Sequence, residues 1–264
     1  MVAPPQSETP SHASTIHDQF SRQAEHFARS PALHNAAALT LLVEAAEPAP
    51  NDEVLDIACG PGSVVVAFAS RVRRSVGLDA TPAMLAQARS LAAARELNNT
   101  EWYQGDVYRL PFGAACFDIV SCRFAFHHFA APERAFAEMV RVCRPGGRIV
   151  LCDAVASDDP AKAAAFNRME RHRDPSTVAF RPLAFLRQLF GDAGLPTPSI
   201  KTYQVPVERD QLIAASFPVD DDRDELRRMI DAAVDGDSMG LCCHRQGDTV
   251  RFAYPAVILV AAKS

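Results

Sequence analysis

A basic excess, long apolar runs and paired cysteines are all missing from this chain of 264 residues. Lys and Arg number 27 against 32 Asp and Glu, a formal net charge of −5, and no dense Lys/Arg run interrupts that balance. Surfaces that bind polyanions carry a basic patch or stripe, so no nucleic-acid partner is expected. The short basic runs 71–74 and 141–148 read as solvated faces and turn residues. No 18 apolar residues follow one another, so no membrane-spanning helix is expected. Positions 1–14, rich in Pro, Ser and Thr, show neither the basic nor the apolar part of a secretory signal and are expected to form a disordered tail. The seven cysteines are odd in number and none is spaced C-x-x-C. That is the pattern of buried thiols in a reducing cytosol, and a cytoplasmic location is expected. Cys242-Cys243 with His244 is too small a ligand set to complete a metal site, so no metal is expected.

What is present is ordinary in bulk and ordered in pattern. Apolar residues make up 48% and charged residues 22%, close to the soluble globular average, and one α/β domain is a common solution at this length. Residues 17–28 form an amphipathic helix with Phe20, Ala24 and Phe27 on one face, and 35–46 a second, stopped by Pro48-x-Pro50. Strand and helix then alternate: strands at 53–58, 75–79, 101–104, 117–122 and 148–152, helices at 65–71, 81–96 and 131–142. Thr81 and Pro82 read as N-cap and first helical residue, and 144–147 as a turn. Beyond 153 come helices at 159–173, 182–193 and 221–234, a strand at 200–206, and a last strand at 249–262 with Pro255 breaking its first part. A polar turn at 245–248 makes an antiparallel hairpin there. The fold class is α/β: a doubly wound, Rossmann-like, mainly parallel seven-stranded sheet with an antiparallel C-terminal hairpin.

Three features fall at the carboxyl ends of successive strands, where open α/β sheets bind ligands. Asp56-Ile-Ala58-Cys59-Gly60-Pro61-Gly62 follows the first strand, and its glycines allow a tight turn and close backbone approach. The third glycine of a dinucleotide fingerprint is absent, since position 65 is Val; this also disfavours a hydride-transferring dehydrogenase. Asp79 ends the second strand, where a carboxylate accepts from ribose hydroxyls. Gly105-Asp106-Val107 follows the third, where a carboxylate meets an adenine amine and Val107 its ring. Together they describe an adenosine with no pyrophosphate.

The runs VLDIACGPG (54–62), VGLDATPAML (76–85), QGDVYRLPF (104–112), FDIVSCRFAFHHF (117–129) and RVCRPGGRIVL (141–151) resemble the class I S-adenosylmethionine-dependent methyltransferases. The group concerned contains the ubiquinone/menaquinone-biosynthesis C-methyltransferases and a branch of bacterial small-molecule relatives. Weaker similarity to that branch continues through 173–176 and 189–195. The one departure is Ala58, where the family often has Gly.

The resemblance implies S-adenosyl-L-methionine as cofactor and S-adenosyl-L-homocysteine as product. Ala58, Gly60 and Gly62 would lie against the methionine part, Asp79 would hold the ribose, Met84 would sit near the adenine, and Ala80 also belongs to the cofactor-binding set. Gly105, Asp106 and Val107 would take the adenine, and Arg123 the methionine through its backbone. Phe20 and Phe27 fall where relatives place a lid helix. Residues 15–264 would form one domain: lid helices at 15–50, a cofactor core at 51–155 and acceptor-binding insertions at 156–250. His127, His128, Asp153, Glu170 and His172 are the candidate bases. His127 is expected to contact substrate and His128 to make a positioning hydrogen bond, while Glu170 and His172 belong to a solvated helix end, 170–174, within reach of a polar acceptor. The acceptor is a small molecule, methylated on O, N, C or S. The alternative is a cofactor-binding protein without methyl transfer, a repurposed cyclase or a sensor. Oligomeric state is left open between monomer and homodimer.

Overall fold

The computed structural model describes residues 11–29 and 35–264, with the side chains of 25–29 outside the description. Helices α1 (His12–Arg29) and α2 (Ala36–Ala45) precede the alternating core. The core consists of β1 (Glu53–Ile57), α3 (Ser63–Ala69), β2 (Arg74–Asp79), α4 (Pro82–Ala94), β3 (Thr100–Gln104), β4 (Phe117–Arg123), α5 (Pro132–Val142) and β5 (Cys143–Ala154). Then come α6 (Pro160–Arg173), α7 (Leu183–Asp192), β6 (Ser199–Glu208), α8 (Arg209–Ala214), α9 (Arg223–Ala232), the three-residue β7 (His244–Gln246) and β8 (Thr249–Ala262).

β1 to β5 pair in parallel, and β8 runs antiparallel between β5 and β6. The strand order is β3-β2-β1-β4-β5-β8-β6, seven strands, with β7 folded back onto β8 as the C-terminal hairpin. Alternating side chains divide the strands between two apolar layers. Val54, Ile119, Val150 and Ile258 pack with Leu42, Val64 and Phe68 of α2 and α3. Leu55, Val120, Leu151 and Leu259 pack on the other face with Phe136, Met139 and Phe190 of α5 and α7. A further core, built from Phe166, Met169, Ile213, Leu226, Ile230 and Phe252, ties α6, α8 and α9 to the first half of β8. The chain leaves β1 toward β2 and β3 and later returns to β4 on the other side, so the strand ends open into a crevice at that switch.

Several local expectations are corrected. α1 opens at His12, so 12–14 belong to a helix, while 1–10 lie outside the described residues. Thr81 and Pro82 stand at the N-cap and first helical position as expected, though the Thr81 side chain makes no capping bond; the Oδ1 atom of Asp79 accepts from the Thr81 N–H at 2.8 Å. The expected turn at 144–147 falls inside β5. Phe117 pairs with Cys143 and Ile119 with Arg148, so these four residues stand opposite Asp118 alone, with Gly146 left-handed and Gly146 and Gly147 bonded to Lys263. β8 runs unbroken through Pro255, which stands just past the last β5–β8 pair, Ala154 with Ala256. There a missing N–H leaves no gap in the β5 ladder.

Candidate active site

The crevice holds a cavity of about 1190 Å³ lined by residues from the ends of β1 to β5 and from α1, α6, β6, α8 and β8. Single-ligand pockets span roughly 300–1,000 Å³, so this one has room for two partners.

One end is built on backbone. Ala58 at φ +49°, Gly60 at +52° and Gly62 at +85° are all left-handed. For Ala58 this conformation costs about 1–2 kcal/mol, which explains why relatives often place Gly there. A Cβ at Gly60 would meet nothing within 4 Å; the space beside it belongs to the cavity. The Gly60 N–H donates to Asp79 Oδ2 at 2.8 Å, pairing with the Thr81 bond to the other oxygen. Asp79 is thereby fixed, with lone pairs left for a ligand. Burial raises its pKa against the pull of those N–H groups. Asp56, 1% exposed, also faces the cavity and accepts from Ser121 Oγ at 2.7 Å. Burial lifts its pKa to about 7, although Ser121 and the Arg123 guanidinium oppose the shift. Asp106 forms an Asx turn, accepting from the Tyr108 N–H at 2.9 Å. Ala80, Met84, Gly105, Val107 and Arg123 line the same wall, and the Arg123 guanidinium lies over the Phe124 ring at 4.5 Å.

The other end is built from side chains. His127 and His128 occupy a 3-10 turn after β4, their rings 4.1 Å apart. Asp153 at the end of β5 accepts from His127 Nδ1 at 2.8 Å and from its backbone N–H at 3.0 Å, and the His127 ring stacks on Phe180. His128 Nδ1 meets Ser176 Oγ at 3.1 Å, and Ser176 donates to Asp174 at 2.5 Å. Burial, aided by His127, lowers the His128 pKa to about 3. On α6, Glu170 is fully buried. Its Oε2 accepts from Arg173 Nε and Nη2 at 2.9 and 2.7 Å, and its Oε1 from the Tyr254 hydroxyl at 2.5 Å. The first helix closes this end: Phe20 packs edge-on to His128, and His12 Nε2–H donates to the His128 carbonyl at 2.8 Å.

Three expectations fail. Gly62 does not line the cavity; the space a Cβ would take there is held by Trp102 at 2.6 Å and Ala88 at 2.9 Å, so this glycine serves packing beneath the turn. His172 turns away, its ring bonded to the Asp222 carbonyl at 2.9 Å. The 170–174 helix end is not solvated as a unit, because Glu170 and Arg173 share one face of α6 and, with the extended C-cap residue Asp174, form part of the cavity wall. The Phe27 side chain lies outside the described residues. Asp56, Ser176 and Tyr254 were missed as site residues. Asp56 carried the same strand-end signal as Asp79, whereas Tyr254 sits on an ordinary alternating strand.

The family described as methyltransferase domain matches residues 55–151. YcgJ of Bacillus subtilis, an uncharacterized methyltransferase, is 30% identical over 92% of this chain and 97% of its own length. Its crystal structure aligns at a TM-score of 0.79 over 86% of this chain and 98% of that one. A putative methyltransferase from Bacillus halodurans aligns at 0.80 with 27% identity, over 86% and 99% of the two chains. Demethylmenaquinone methyltransferase of Deinococcus radiodurans is 42% identical over 38% of this chain and 42% of its own. The chain belongs to the class I methyltransferases.

Proposed function

We propose that the protein transfers the methyl group of S-adenosyl-L-methionine to a small-molecule acceptor, releasing S-adenosyl-L-homocysteine. The observation that carries this is Asp79, a strand-end carboxylate held by two backbone N–H groups at 2.8 Å beside the open Gly60 turn. The residues fit the group. Asp79 would take the ribose hydroxyls, with Ala80 and Met84 beside it. Asp106, Gly105 and Val107 would take the adenine. Ala58, Gly60, Asp56 and Arg123 would face the methionine part. Bound there, the cofactor supplies an already activated methyl group, so the protein's work is alignment and exclusion of water. Phe20 and His12 of α1 close the cavity over His128, and His127 and His128 stand at the acceptor end as the catalytic candidates.

Among the described residues no helix is long and apolar enough to cross a membrane; with the acidic charge, this supports a cytoplasmic enzyme acting on a dissolved acceptor rather than nucleic acid. The test is calorimetric titration of S-adenosylmethionine. Wild type is expected to bind, and Asp79→Ala to bind about 100-fold more weakly through loss of charge-assisted bonds. Equal affinity in the two proteins would defeat the assignment.

A further inference from the structure

Binding a methyl donor leaves the second half of the cavity unexplained, and its hydrogen bonds determine where protons sit. Asp153 accepts from the His127 N–H, from His127 Nδ1 and from the Ala154 N–H. Every one of these bonds needs the carboxylate as acceptor, so Nδ1 carries the hydrogen, and the tautomer this selects for a neutral ring places the lone pair on Nε2. His127 lines the cavity, and its Nδ1–Asp153 bond stands ready to stabilise an imidazolium. His128 is different. Ser176 gives its single hydroxyl hydrogen to Asp174 and can only accept from His128 Nδ1. The buried ring, tilted against His127 and met edge-on by Phe20, stays neutral, able to receive a hydrogen bond but poorly suited to keeping a proton.

Charge then narrows the acceptor. Glu170, Asp174 and Glu208 line this end, with Asp153 behind the His127 ring, against Arg173, whose Nε–Nη2 edge is taken by Glu170. A carboxylate or phosphate entering here meets uncompensated negative charge in a low-dielectric site. The walls are flat and apolar: Phe180 stacks on His127 at 4.1 Å with a 14° tilt and lies within 10° of parallel to Tyr254.

Resting on the cofactor assignment above, we propose that the acceptor is a neutral hydroxyl compound on a flat apolar body, a phenol or enol, and that His127 is the general base that prepares it for O-methylation. The acceptor O–H bond breaks and its proton goes to His127 Nε2. The oxygen lone pair forms the new O–C bond, and the electrons of the broken C–S bond stay on the sulfur of the thioether product. The imidazolium, held by Asp153, then returns its proton to solvent.

The test uses protein saturated with S-adenosylhomocysteine and two probes of matched shape, 2-naphthol and 2-naphthoate. Naphthol is expected to bind at least about tenfold more tightly and to shift the His127 Nε2 resonance in ¹⁵N NMR. With S-adenosylmethionine, wild type is expected to form the methyl ether. Asp153→Asn should lower kcat by about 100-fold or more, as removal of base support does, with the S-adenosylmethionine KM changed less than about twofold. Naphthoate binding as well as naphthol, a silent His127 resonance, no methyl ether from wild type, or an unchanged kcat in Asp153→Asn each overturns the proposal alone. Failure of S-adenosylhomocysteine itself to bind overturns the cofactor assignment as well.

Discussion

The two ends of the cavity are made in opposite ways. At the glycine-turn end, the proposed cofactor site, the key bonds run from backbone N–H groups to a carboxylate 19 and 2 residues away. At the histidine end, the proposed acceptor site, they run between side chains 26, 48 and 84 residues apart, His127 with Asp153, His128 with Ser176 and Glu170 with Tyr254. The first end is a property of the turn and tolerates little change of backbone. The second is a property of the packed core around α6 and β8, and its chemistry can be altered without disturbing the sheet.

Substitutions can break or sharpen this contrast. The largest effect is expected from Glu170→Ala, which strands Arg173 and the Tyr254 hydroxyl in the interior; it should cost up to about 5 kcal/mol of stability by urea denaturation, leaving residual folded protein that still binds S-adenosylmethionine. If that variant loses cofactor binding as well, the two ends are not separable. Next is pH. The folded pKa of Asp56 is raised by burial to about 7 from 3.8, so its contribution to stability is fully present below about pH 4 and is lost as pH rises through 7. Asp56→Asn cannot titrate, so the stability difference between variant and wild type should move in the variant's favour by about 4 kcal/mol across that window, and be flat above it. A constant difference from pH 4 to 8 would refute the buried-acid picture. Gly62→Ala forces a methyl group against Trp102 and Ala88 in a left-handed conformation, and about 3 kcal/mol of destabilisation is expected from strain and overpacking. Gly60→Ala, with nothing within 4 Å, should cost only the conformational part in stability and show its main loss in cofactor affinity by calorimetry.

The same contrast explains what the sequence could tell. The sheet, its switch point and the carboxylates Asp79 and Asp106 follow from apolar periodicity and from residues standing just past strand ends, signals carried within a few positions. Thr81 stands at the N-cap, as its residue type suggests, and misleads only in that its side chain makes no capping bond. The run at 170–174 misled more deeply. Five polar residues in a row resemble a solvated helix end, and only the arrival of Tyr254 from β8 reveals that residues 170, 173 and 174 face inward. Gly62 reads as a ligand contact because its neighbours in the motif line the cavity; its actual contact, Trp102, comes from β3, two strands later.

That contact has a practical side. Trp102 is the chain's single tryptophan, and its indole lies against Gly62 and Gly77 beneath the glycine turn. The protein therefore carries one built-in fluorophore at the base of its glycine turn, with no other indole to dilute the signal. A ligand that settles on the turn should change that emission, so occupancy can be followed by light in the unlabelled wild-type chain.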